Sequence, residues 1–193
     1  MKRGSAFLVA ACGVLALAAC GSSPKANFYS LDGGSVAQAS AGQTIYTVAL
    51  GPVAVPEAVD RPQIVTRSGA NQVTINEFER WAEPVKVQIG RVVAANLAQM
   101  LGGAYVFAYP QSAHVEAAYS VLLDVQRFDS LPGESATVEV LWTVRPLKGA
   151  LRTGRSVVRE PLDATTYSAL VAGHSRALAA VSRDIAEAIT ISK

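Results

Sequence analysis

The sequence predicts one α/β domain, and three observations predict it. Two stretches, 84–101 and the last part of the chain from Thr165, repeat apolar residues at the three-and-four spacing of amphipathic helices. Between and before them lie short β-branched and aromatic segments bounded by Gly, Pro, Asn and Ser. No stretch repeats another, and the 174 residues that follow the first 19 suffice for one well-buried core.

The chain opens on Lys2 and Arg3, a basic start, followed by an apolar run from Phe7 to Ala16 and then Leu17-Ala18-Ala19-Cys20. That order is the one expected of a bacterial export signal. The run is too short for a membrane span, which needs about 20 apolar residues. Leu-Ala-Ala-Cys resembles a lipobox, the bacterial lipoprotein processing motif. The resemblance implies cleavage before Cys20, a diacylglycerol on its sulfur and an acylated amino group. Residues 1–19 are then a signal peptide and 20–26 a lipidated tether. The other reading is an ordinary secreted protein cut near Ala19. The 17 basic and 15 acidic residues become balanced once Lys2 and Arg3 leave, which argues against nucleic-acid binding. On the lipobox reading Cys12 leaves as well and Cys20 is acylated, so no thiol remains for a disulfide, a metal or a nucleophile.

Asn27 to Leu31 alternates as a short strand, and Gly33 to Gln43 is loop-like. Thr44 to Val55 is apolar on both parities, the pattern of a central strand, with Pro52 and Pro56 interrupting its ladder. Two β-rich pieces flank Ser68-Gly69-Ala70-Asn71 and predict a hairpin. Thr74 and Glu77 have capping-box spacing, which predicts a helix from Asn76 or one restarting at Pro84. From there Val85, Ile89, Val92, Val93, Leu97, Met100 and Leu101 form a stripe, stopped by Gly102-Gly103. Ala104 to Tyr109 is a strand ended by Pro110. Ala117 to Phe128 and Thr137 to Leu147 form a hairpin around Ser130 to Glu134. Gly149 to Gly154 turns the chain into a strand at Arg155 to Leu162. Thr165 or Thr166 then caps a helix whose buried stripe runs through Tyr167, Leu170, Val171, His174, Leu178, Val181, Ile185 and Ile189.

Catalytic patterns are scarce. His114 and His174 are the only histidines, and the second falls on the buried stripe, where a hydrogen-bonded core histidine is the ordinary occupant. No His, Cys or carboxylate grouping has zinc spacing, and neither a nucleophile elbow nor a phosphate loop is present. Glu77, Glu79 and Glu83 each have a basic neighbour and fit a solvated surface. Arg145, Lys148, Arg152, Arg155 and Arg159 follow one another closely. They fit either a guarded strand edge or a patch for an anionic partner or lipid headgroup. Arginines, acids, prolines and an aromatic pair crowd into 59–67 and 77–84. Arg and Trp are favoured interface anchors, while a structural knot with Asp60 paired to Arg61 or Arg80 and Trp81 in the core is the alternative.

Leu50-Gly51-Pro52-Val53-Ala54-Val55-Pro56-Glu57, Asp60-Arg61-Pro62-Gln63-Ile64-Val65-Thr66-Arg67 and Phe78-Glu79-Arg80-Trp81-Ala82-Glu83-Pro84 resemble the PqiC-type lipoproteins. These are the auxiliary lipoprotein components of ABC-type intermembrane transport systems. Tyr29-Ser30-Leu31 and the terminal hairpin and helix fit the same pattern, so the resemblance covers 27–193. Ala58-Val59, where the family often has a bulkier pair, is a small departure. The resemblance implies a three-layer α/β domain with a mixed β-sheet flanked by two helices. It also implies a non-enzymatic part, without cofactor or metal, in lipid traffic between the two membranes of Gram-negative bacteria. The expected partners are an MCE-domain protein (PqiB-like) and, through it, an inner-membrane permease. Cys20 would hold the protein on the periplasmic face of the outer membrane, and Gly21-Ser22 lacks the Asp of an inner-membrane retention signal. The expected docking residues are Arg61, Gln63, Arg67, Arg80 and Trp81, with a homo-oligomeric ring possible if the partner is a ring. Two other expectations stand beside this one: an independent periplasmic lipid-binding or assembly-factor lipoprotein, with an apolar groove beside 84–101, and an exported hydrolase using His174.

Overall fold

The computed structural model describes residues 24–34, 46–102, 104–114 and 116–191. Cys20, the signal and most of the predicted 33–43 loop lie outside the described residues. Eight strands and two long helices follow in the order β1 (Asn27–Tyr29), β2 (Tyr46–Ala54), β3 (Gln63–Arg67), β4 (Val73–Trp81), α1 (Val85–Leu101), β5 (Ala104–Phe107), β6 (Tyr119–Leu131), β7 (Ser135–Pro146), β8 (Arg152–Pro161) and α2 (Tyr167–Thr190). The α/β class with mixed strand directions and two helices is as expected, but the strands divide between two sheets. One has the order β5-β2-β6-β7-β8 and the other β1-β4-β3.

In the five-stranded sheet β2 runs parallel to β5 and β6, while β7 is antiparallel to β6 and β8. The predicted hairpin is β6/β7, longer than expected: the strands run on to Leu131 and from Ser135, leaving a turn at Pro132–Glu134 with Gly133 at positive φ. Val48, Ala49 and Leu50 are all buried, and the β2 register then shifts between Leu50 and Val53, across Pro52. Proline has no N–H for the ladder, so the strand bulges there. β8 starts at Arg152, not after Gly154 as predicted. A Cβ at Gly154 would sit 2.1 Å from the Trp142 ring, so the glycine serves contact with the indole, not a turn.

Both helices pack on this sheet and on each other. The predicted stripe of α2 is buried from Leu170 to Ile189, and Thr166 caps it by accepting the Ala169 N–H at 3.2 Å. α1 begins after Pro84 and ends at Gly102, whose φ of 58° is the left-handed stop predicted for it. Met100, assigned to the stripe, is exposed.

The predicted helix start at Asn76 is overturned: β4 continues unbroken to Trp81. Its residues find partners on both sides, antiparallel to β3 from Val73 and parallel to β1 at Glu79 to Trp81. A capping box satisfies a few amides, whereas two strand neighbours satisfy most of a strand. Asn76 accepts the Phe78 N–H at 3.0 Å inside the irregular stretch instead of capping a helix.

Candidate functional site

The three-stranded sheet turns one side inward and one outward. Ile64, Thr66 and Trp81 are buried on the inner side. On the outer side the register sets Phe28 and Gln63 beside Arg80, Val65 beside Ile75 and Arg67 beside Val73. This outer side exposes Phe28 (64%), Val73 (51%), Phe78 (40%) and Ile75 (38%). Four large apolar side chains on so small a sheet form a patch of the kind that marks interaction sites.

Trp81 joins this sheet to the main body. Its ring meets Phe128 edge-on at 6.2 Å, and Phe128 stacks on His174 at 3.9 Å with the planes 9° apart. The Trp81 N–H donates to the Pro62 carbonyl at 2.7 Å, and the Ala82 N–H to the Tyr29 carbonyl at 2.8 Å. The first bond holds 60–62 against 81–84 and the second ties β1 to the same segment; between 60–62 and 81–84 lies a cleft of about 480 Å³. Asp60, Arg61 and Pro62 form one wall, and Trp81, Glu83 and Pro84 the other. Asp60 pairs with Lys86 at 2.8 Å, not with Arg61 or Arg80 as the structural-knot reading had it. Arg91 binds both Glu83 oxygens at 3.0 Å. Arg61 is exposed, and its guanidinium has no partner among the described residues.

The five expected docking residues therefore differ in kind. Arg61 lines the cleft and is free, while Trp81 is only 6% exposed and belongs chiefly to the core. Gln63 donates to Glu77 at 2.8 Å, and Arg80 lies 3.9 Å from the same carboxylate. Arg67 reaches across to β6 and pairs with Asp129 at 3.0 Å, a carboxylate that Arg127 also holds at 2.6 Å. Burial pushes the Asp129 carboxyl up, but the two arginines outweigh it and keep it below the usual carboxylate range. Sequence reasoning missed Phe28, Val73 and Ile75 as surface residues. Their alternation was readable, but which side would stay uncovered was not.

His174 is 1% exposed. Its Nε2 is 2.8 Å from the Ser130 hydroxyl, and burial lowers its pKa to about 3, against a weak opposing pull from Asp129. The imidazole is neutral at physiological pH and closed off by Phe128, so the Ser130–His174 pair has no route to a substrate. Among the described residues no group of His, Cys, Asp and Glu could hold a metal ion, and no helix is long and apolar enough to cross a membrane.

A family model described as "ABC-type transport auxiliary lipoprotein component" matches residues 29–186. Two crystal structures share the fold. One, of an uncharacterized protein, aligns with a TM-score of 0.71 at 19% identity, covering 86% of this chain and 99% of the other. The second, a Xanthomonas campestris protein of the family DUF330, gives 0.69 at 18% identity, covering 86% and 96%. No curated protein matches the chain significantly.

Proposed function

Because the chain belongs to the family of ABC-type transport auxiliary lipoprotein components, we propose that it is the outer-membrane lipoprotein of an intermembrane lipid transport system. Cys20 anchors it, and the three-stranded sheet docks a periplasm-spanning MCE protein, through which it acts with an inner-membrane permease. Nothing in the family or the buried histidine calls for catalysis; the protein's contribution is binding and position.

One observation supports the docking role above others. Two strings far apart in sequence, 60–62 and 81–84, close on a single cleft with a free Arg61 at its mouth, beside an exposed apolar sheet. Walls of Pro62, Pro84 and the edge of Trp81 with an unpaired guanidinium beside them suit a partner that offers apolar side chains and a carboxylate. Crosslinking in cells with the lipidated, tagged chain, followed by mass spectrometry, tests it. Recovery of an MCE protein linked at the three-stranded sheet is expected, and recovery of unrelated envelope proteins alone sinks the reading. The anchor has its own test: Cys20→Ala should release the protein to the periplasm, and continued outer-membrane recovery counts against acylation.

A second reading, an independent lipid-binding lipoprotein, draws on a cavity of about 660 Å³ beside both helices, lined by Phe28, Asn96, Gln99, Val171 and Arg176 among others. Native mass spectrometry of the Cys20→Ala protein decides it, since a chain free of bound lipid would remove this reading.

A further inference from the structure

We propose that the tip of the β7–β8 hairpin is a contact site for an anionic lipid surface. The five basic residues that crowd this part of the sequence are of two kinds. Arg155 pairs with Glu139 at 2.8 Å and Arg159 pairs with Glu134, both along β8, which is an edge of its sheet. Paired arginines on an edge strand keep other strands from adding to it, and these two serve as guards. Arg145 and Lys148 are exposed and have no acidic partner among the described residues. Arg152, the third at the tip, donates to the Ile191 carbonyl at 3.4 Å, with Asp184 and Glu187 lining the same hollow. The uncompensated charge therefore sits at Arg145 and Lys148.

Beside these cations stand bare aliphatics. Leu147 is 66% exposed, Leu151 52% and Ile191 60%. Apolar groups enter the boundary between headgroups and acyl chains, while Lys and Arg beside them bind lipid phosphates and keep their charged ends at the surface. A protein partner is less well matched. Protein anchors favour Trp, Tyr and Arg set in pockets, whereas this tip is a turn of leucines around Gly149 at positive φ.

The tip is distant from the tethered end. α2 is 24 residues long, about 36 Å at 1.5 Å per residue. It runs from Tyr167, whose ring lies 6.0 Å from that of Tyr29, to the turn at Ile191 beside Arg152. If Cys20 is acylated, lipid held at both ends lays the domain lengthwise on the membrane. Only this orientation rests on the anchor reading, not the binding itself.

The test uses the exported Cys20→Ala protein, which removes the anchor from the question. It is sedimented with vesicles of phosphatidylethanolamine and phosphatidylglycerol, and with vesicles of phosphatidylcholine alone. Binding to the anionic vesicles that fades as salt rises is expected, and it should fall at least about tenfold in an Arg145→Glu, Lys148→Glu chain. Leu147→Ser with Leu151→Ser should weaken it too. Equal binding to both vesicle types, or an Arg145→Glu, Lys148→Glu chain that binds like the parent, overturns the proposal. Absence of vesicle binding also overturns it and leaves the tip to an acidic protein. Each variant's thermal unfolding is recorded, so that lost binding is scored only in folded protein; the charge reversals lie on exposed positions and keep the test available if the leucine variant unfolds.

Discussion

The five-stranded and three-stranded sheets use the same β-branched and aromatic residues but differ in what covers them. Over one face of the larger one, α1 and α2 bury side chains from Val48 to Val144, and those residues serve stability, while Tyr105, Phe107, Leu122, Leu141 and Val157 of the same sheet stay exposed. The smaller one is held through Ile64, Trp81, the Arg67–Asp129 pair and a few backbone bonds, and it leaves Phe28, Val73, Ile75 and Phe78 to solvent. Burial identifies what keeps the molecule folded. Uncovered apolar surface that folding does not need is where function is to be sought.

The comparison can be broken most forcefully at Trp81. Replacing it with Ala removes the main joint between the sheets, with an expected cost of about 3–5 kcal/mol, whereas Phe78→Ala should stay within about 0.5 kcal/mol. Urea unfolding measures both, and equal effects would mean the outer face is part of the core after all.

Acid probes the same joint. His174 is neutral in the folded protein, with a pKa of about 3 against an ordinary 6.5, so the unfolded chain takes up the proton first. Stability is full above pH 6.5 and falls as pH drops towards 3, by at most about 1.4 kcal/mol per unit from this group. Asp129, whose folded pKa is lowered, contributes stability that is lost only below about its ordinary 3.8. Chemical unfolding at pH 7, 5.5 and 4 should show the slope, and His174→Gln should abolish the part above pH 4.

A smaller effect concerns the helix covering the large sheet. Thr166→Ala removes the one side-chain cap of α2 and should cost about 1 kcal/mol in the same assay. Smallest for stability, and largest for docking, is Arg61→Ala. It should leave the melting temperature unchanged while weakening copurification with the partner. Arg67→Ala should do the opposite, lowering the melting temperature because Asp129 loses one of its two cations. If both behave alike, the division between holding and docking arginines is wrong.

The large sheet was legible because its information is local. Tyr119, Val121, Leu123 and Val125 alternate and are all buried, and the α2 stripe states which face meets the sheet. The Thr74–Glu77 spacing misled because the deciding partner of β4 is β1, a segment distant in the chain, with Asn27 opposite Glu79. The roles of the arginines were hidden for the same reason. Nothing around Arg67 announces Asp129, and nothing around Arg61 announces that Asp60 is already taken by Lys86.

The chain's two tryptophans stand one in each region. Trp81 lies at the joint beside Phe128, while Trp142 lies over Gly154 and donates to Ser156, whose hydroxyl donates to Asp184 at 2.5 Å. Intrinsic fluorescence is thus a pair of local gauges. Excited beyond the tyrosine absorption band, a Trp142→Phe chain emits only from the joint, and a Trp81→Phe chain only from the β7–β8 side, so the order in which the two regions loosen under heat, acid or a bound partner can be followed without a dye.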